Sequence, residues 1–242
     1  MTGLLVAIRR RRESAEDGLT LVELLVAMMA LGILLAIISG LLISSSKVIA
    51  STEATAQGTA NASVVVNELT SVIRSGANQP VAGQTLSAAA FPAVSSELLT
   101  MYSYVNSYTS TTSTQVRPLL VQFSLNSSRQ LVEKRWLPTS TNGTYFTFPP
   151  VSSTGAISAT PMSTHIIGGP LLATPTTGAN TDPLFVYLTA GGVVIASPSG
   201  TNLCLIASVR VTVRTKGPTT TSRPAILLVN TVDIPNLPPA GC

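Results

Sequence analysis

Apolar residues follow three rhythms along the chain. From Leu24 to Ile43 they are continuous: LLVAMMALGILLAIISGLLI holds no charge and no proline over 20 residues. At ~1.5 Å per residue a helix of that length spans ~30 Å, the thickness of a bilayer's hydrocarbon core. A secretory signal has a shorter apolar stretch of about 7–15 residues and a small-x-small cleavage site, so this run is too long for one. The second rhythm is Ala62, Val65, Val66, Leu69, Val72 and Ile73, which draws a single stripe on a helix. Gly76 reads as the residue just past the helix end and Pro80 as a stop. The pattern predicts one long helix from about Thr20 to Arg74. Its first half is apolar all round; its second half is amphipathic and packs on a sheet. Gly40 and Gly58 are weak points for bending or melting, each costing ~1 kcal/mol relative to Ala.

The third rhythm is short strands with polar spacers, from about residue 80 onward. Leu98–Val105 reads as a strand, followed by a Ser/Thr-rich loop at Ser107–Gln115. Leu119–Leu125 and Gln130–Leu137 form a hairpin turning at Asn126–Arg129, with Val121, Phe123 and Leu125 on one face. Pro138–Asn180 is rich in Thr, Ser, Gly and Pro and predicts long loops, with short strands at Tyr145–Phe148 and His165–Ile167. Leu184–Leu188 is strand-like and precedes a turn at Ala190–Gly192. Leu203–Arg214 alternates, with Leu205, Ala207, Val209, Val211 and Val213 on one face. Ala225–Ile234 is the last strand, joined through Lys216–Pro218. A helix followed by an antiparallel meander gives an α+β domain.

Composition narrows the class. Only 10% of the 242 residues are charged, against about 25% in an ordinary soluble protein. Ser and Thr together number 59, and mean hydropathy is +0.43. One His, two Cys and few acids argue against a metalloenzyme or a multi-carboxylate active site, and no cofactor or metal is expected. The arginines Arg9–Arg12 precede the apolar run, and only Lys47 follows it closely. The positive-inside rule then puts residues 1–18 in the cytoplasm and everything after about residue 44 outside. Residues 19–242 carry 10 basic and 7 acidic groups with no basic stripe, which argues against a conventional nucleic-acid patch. Cys204 and Cys242 form no CxxC. An oxidising compartment allows one disulfide between them; two free thiols is the other reading.

Glu23 stands at the edge of the apolar run. A charge deep in a membrane costs ~2.5–3.5 kcal/mol and usually has a partner. At interface depth the same carboxylate simply favours the positive end of the helix dipole. The stretch Gly18-Leu19-Thr20-Leu21-Val22-Glu23-Leu24-Leu25-Val26-Ala27 resembles the type III signal of type IV pilins and pseudopilins. The resemblance implies cleavage by a prepilin peptidase between Gly18 and Leu19, and N-methylation of Leu19. The family's most frequent first residue is Phe, where this chain has Leu. It also implies that the Glu23 carboxylate meets the terminal ammonium of a neighbouring subunit and fixes axial register, because screening is weak in a lipid-like core. Many pilins carry Pro where Gly40 stands, so a milder break is implied here. The outer pattern, Leu119–Trp136, Pro183–Tyr187, Ile206–Val213 and a close at Pro235-Asn236, is similar to the W-type minor pilins and the J-type pseudopilins of type II secretion.

Other chemistry is sparse. His165 is the single imidazole, and its strand-like setting reads as surface or structural. Trp136 reads as core packing before a sugar or surface anchor. Asp182-Pro183 reads as a turn start. No G-x-S-x-G, Walker A or G-x-G-x-x-G occurs. The expectation is a cytoplasmic leader at 1–18, a long helix at 19–76 with its membrane segment at 24–43, and an extracytoplasmic β-rich domain at 77–242. The expected role is a non-enzymatic minor subunit of a type IV pilus or type II secretion-like filament. Its expected partners are prepilin peptidase, other pilins through the helix, membrane lipid, and an assembly platform with its ATPase. A filament-tip module binding DNA, a surface or secreted cargo is the alternative; a membrane-anchored extracellular hydrolase is the remote one.

Overall fold

The computed structural model describes residues 20–82, 87–105, 117–141, 145–175, 181–215 and 225–237. The leader at 1–18, Leu19, the Ser/Thr-rich loop at 107–115, the turn at 216–218 and Cys242 lie outside the described residues. The chain divides into two compact units, one ending at Thr52 and the other starting at Glu53.

Helix α1 runs over Leu21–Arg74, within a residue of its predicted start. In the first unit every residue from Thr20 to Ala50 is exposed, as expected of a segment that is apolar on all sides. In the second unit the predicted stripe is the buried face: Ala62, Val65, Val66, Leu69, Val72 and Ile73 all enter the core. Fully burying one such side chain contributes roughly 1.5–3 kcal/mol. The helix ends where hydroxyls take its last carbonyls. Ser75 Oγ donates to Ser71 O at 3.2 Å and Val72 O at 2.9 Å, and Ser103 Oγ also donates to Val72 O at 2.9 Å. Gly76 serves a different purpose from the expected one. It is not among the residues with positive φ; instead a Cβ there would lie 2.5 Å from Met101 Cε. A side chain there would have to displace the end of Met101 and crowd Ile73 O at 3.0 Å, so the close approach to β2 favours glycine.

The strands are β1 (Ala93–Val94), β2 (Leu98–Ser103), β3 (Leu119–Leu125), β4 (Leu131–Trp136), β5 (Ser140–Thr141), β6 (Phe146–Thr147), β7 (Ser163–Gly168), β8 (Phe185–Leu188), β9 (Ser208–Thr215) and β10 (Ile226–Asp233). All pairings are antiparallel. The meander is divided, however, into a five-stranded sheet β1-β2-β3-β4-β7, a three-stranded sheet β10-β9-β8 and the ribbon β5-β6. Leu99, Met101, Leu119, Val121 and Phe123 from the first sheet meet Tyr187, Val209, Val211, Val213 and Val232 from the second, and the α1 stripe joins them in one core. The Phe91 and Tyr187 rings touch edge to face, centroids 6.4 Å apart.

Two expectations need correction. The period-two pattern picks out one face of β3, at Val121, Phe123 and Leu125; the structure buries Leu125 only in part, and it also buries Leu120 and Gln122 on the other face. The loop between β6 and β7 covers that face: Gln122 Nε2 donates to Gly155 O at 2.7 Å, and Trp136 Nε1 donates to Ala159 O at 2.8 Å. Trp136 is therefore core packing, as its sequence context predicts. The strand expected from Leu203 begins only at Ser208, and Gly200–Leu205 forms a 3₁₀ turn. β10 ends at Asp233, opposite Ser208; Ala207 N–H still donates to Leu188 O and Ala207 O accepts from Ile234 N–H, and the chain before it leaves the ladder for the 3₁₀ turn. Leu205, expected inside, is 51% exposed, while Ile206 takes the buried place.

Candidate processing and assembly site

Gly18 and Leu19, the expected cleavage and methylation positions, lie outside the described residues. The described residues start at Thr20, at the head of the helix. Thr20 Oγ1 accepts a hydrogen bond from the Glu23 N–H at 3.3 Å, and Thr20 O accepts from Leu24 N–H at 3.1 Å. Thr20 is thus the N-cap, and Thr-x-x-Glu is the capping-box spacing. That spacing is visible in the sequence at Thr20-Leu21-Val22-Glu23. Glu23 occupies the first turn, exposed, where the helix dipole favours a carboxylate. The next charge is Lys47.

Between those two charges the helix is long and apolar enough to cross a membrane, and none of its most apolar stretch is buried within the chain. The seventeen apolar side chains of Leu24–Ile43 are all exposed, and a surface of that kind calls for lipid or neighbouring helices around it. The helix runs through Gly40 and Gly58 without a break. The Gly58 carbonyl accepts from Thr215 Oγ1 at 3.5 Å.

The outer unit holds its polar groups in structural pairs. Glu133 is 3% exposed, with Arg135 Nε at 2.8 Å; Arg135 Nη2 reaches Glu68 on α1 at 2.9 Å. Burial raises the Glu133 carboxyl above the ordinary value of 4.5, against the pull of Arg135. This clamp between helix and sheet was not foreseen. Its only local trace is Glu133 and Arg135 two apart on one face of a strand. His165 is exposed on β7, opposite Glu133, in keeping with a surface histidine. Asp182 accepts from Arg210 Nη1 at 2.9 Å. The Tyr187 hydroxyl donates to Leu98 O at 2.8 Å and Ser95 O at 3.0 Å, and burial raises it well above its ordinary value. Cys204 is disulfide-bonded. Among the described residues, no three His, Cys, Asp or Glu side chains come together as metal ligands. A groove of about 550 Å³ runs beside β8, lined by Val94, Pro183, Val186, Val194 and Ile195 with Ser95 and Ser197.

Residues 14–39 match the family model described as the prokaryotic N-terminal methylation motif. No curated protein matches the chain. The motif implies processing by a prepilin peptidase and assembly with other pilins, and with the apolar helix it supports a membrane anchor. Motif, apolar helix and the antiparallel sheets that follow it in the chain support a type IV pilin-like protein, with an α+β pilin-like architecture.

Proposed function

We propose that the chain is a minor pilin or pseudopilin, a structural subunit of a type IV pilus or type II secretion-like filament. The observation that carries this reading is the methylation motif at 14–39 opening directly into an exposed, membrane-length helix. Prepilin peptidase cuts between Gly18 and Leu19, and Leu19 is N-methylated. The N-terminus starts in the cytoplasm and the β-domain outside. The assembly platform and its ATPase then draw the helix from lipid into the filament, where the Glu23 carboxylate pairs with the ammonium of a neighbouring subunit. Cys204 pairs with Cys242 to close the C-terminal segment. The chain performs no bond chemistry of its own.

The test is to shear filaments from the native cells and probe them for this chain, with and without Glu23→Gln. The reading predicts the wild-type chain at low copy number in the filament fraction, and strongly reduced incorporation of the variant, which remains in the membrane. A processed chain that stays in the membrane while filaments form normally without it would contradict the reading.

A further inference from the structure

Where the two sheets of the outer unit join, polar groups enclose a very small space. The joint forms because the segment after β7 turns back between the β3–β4 hairpin and β9. Leu171 N–H donates to Arg129 O at 2.8 Å, and Leu172 N–H donates to Arg214 O at 2.9 Å. Arg129 holds the joint from the hairpin side: its φ is +56°, and its side chain donates to Leu171 O at 2.9 Å and to Glu97 Oε1 at 2.9 Å. From the β9 side Arg214 donates to Asp182 O. Glu97, Arg129, Thr174, Thr212 and Arg214 line the space together with Leu125, Leu171, Leu172 and Leu184.

Thr212 is only 2% exposed, and among the described residues its Oγ1 has no protein hydrogen-bond partner. A buried hydroxyl left in that condition is unfavourable by about 1–3 kcal/mol, and such groups in native proteins are nearly always satisfied. The space beside it gives the centre of a water molecule about 10 Å³ in which to sit. That is about one water, and too little for an organic ligand. Its walls carry both donors and acceptors, which a bridging water needs.

We propose that one buried water is a built-in part of this joint, bonded to Thr212 Oγ1 and to polar groups of the wall. It links β9 to the segment at 171–174 and so helps to hold the two sheets together. The ligand is a water molecule rather than a halide, because a halide is larger than the space allows.

Two measurements on the full chain in detergent test this. The first is thermal unfolding of Thr212→Val and Thr212→Ser. With a water on the hydroxyl, the Val variant removes a bond and strands the water, so its Tm falls by roughly 2–4 °C while Ser stays near wild type. With no water there, Val relieves an orphaned hydroxyl and its Tm rises, which overturns the proposal. The second is a crystal structure at high resolution after a bromide soak. A single water-like peak within hydrogen-bond distance of Thr212 Oγ1, without anomalous signal, supports the proposal. An anomalous bromide peak, or no peak at all, overturns it.

Discussion

The two halves of helix α1 share one conformation and differ in how their apolar side chains are arranged. Up to Ala50 its side chains touch solvent on every side, and none of the most apolar stretch is buried. From Ala62 to Ile73 six apolar positions are buried and the intervening ones are not part of the core. The difference lies in periodicity rather than helix propensity. A continuous apolar run gives no preferred face, so it suits an isotropic apolar surrounding. A stripe gives one face, so it suits one sheet. One half is therefore suited to lipid or to neighbouring helices, and the other half to packing within the molecule.

Substitutions break this comparison in graded ways. The largest effect is expected for Arg135→Ala, which leaves Glu133 buried without its counter-charge. Breaking a buried pair in this way costs about 3–5 kcal/mol, measured by chemical unfolding of the full chain in detergent. The deficit should shrink on acidification, because the Glu133 carboxyl already titrates above 4.5. A carboxyl whose folded pKa exceeds its unfolded one binds its proton more tightly when folded, so the stability it contributes is present at low pH and lost as pH rises through the folded value. Next, Leu69→Ala should cost about 2–5 kcal/mol in the same measurement and leave membrane partition unchanged. Leu34→Arg should do the reverse. It should raise the cost of membrane insertion by about 2.5–3.5 kcal/mol, read from the fraction recovered in membranes, while unfolding of the β-domain shifts by less than about 0.5 kcal/mol. The smallest effect belongs to Thr20→Ala, which removes the N-cap at a cost of about 1 kcal/mol. It should appear as faster amide exchange over the first turn of α1 and nowhere else.

Legibility followed the range of the interactions. The buried stripe of α1, the strands at Leu119–Leu125 and Phe185–Leu188, and the turn carrying Arg129 are set by residues near one another in sequence, and each could be read directly. The division of the meander into two sheets could not. It depends on where the segment after Gly168 turns away from β4 and bonds to Arg214, more than forty positions later. The burial of Leu120 and Gln122 was hidden for the same reason, since a Ser- and Pro-rich loop supplies the cover. The clamp of Glu68, Arg135 and Glu133 joins residues 67 positions apart and leaves almost no local pattern. The processing motif is the opposite case. Gly18, Thr20 and Glu23 lie within six residues, so the sequence displays the whole motif.

The central claim is that the chain enters the pilin pathway through its N-terminal motif. The most direct measurement is intact mass and N-terminal sequencing of the protein from its own cells, with and without prepilin peptidase. The account predicts a mature chain that begins at Leu19 and carries a methyl group, and a chain that keeps residues 1–18 when the peptidase is missing. A chain that retains residues 1–18 in both backgrounds would contradict it.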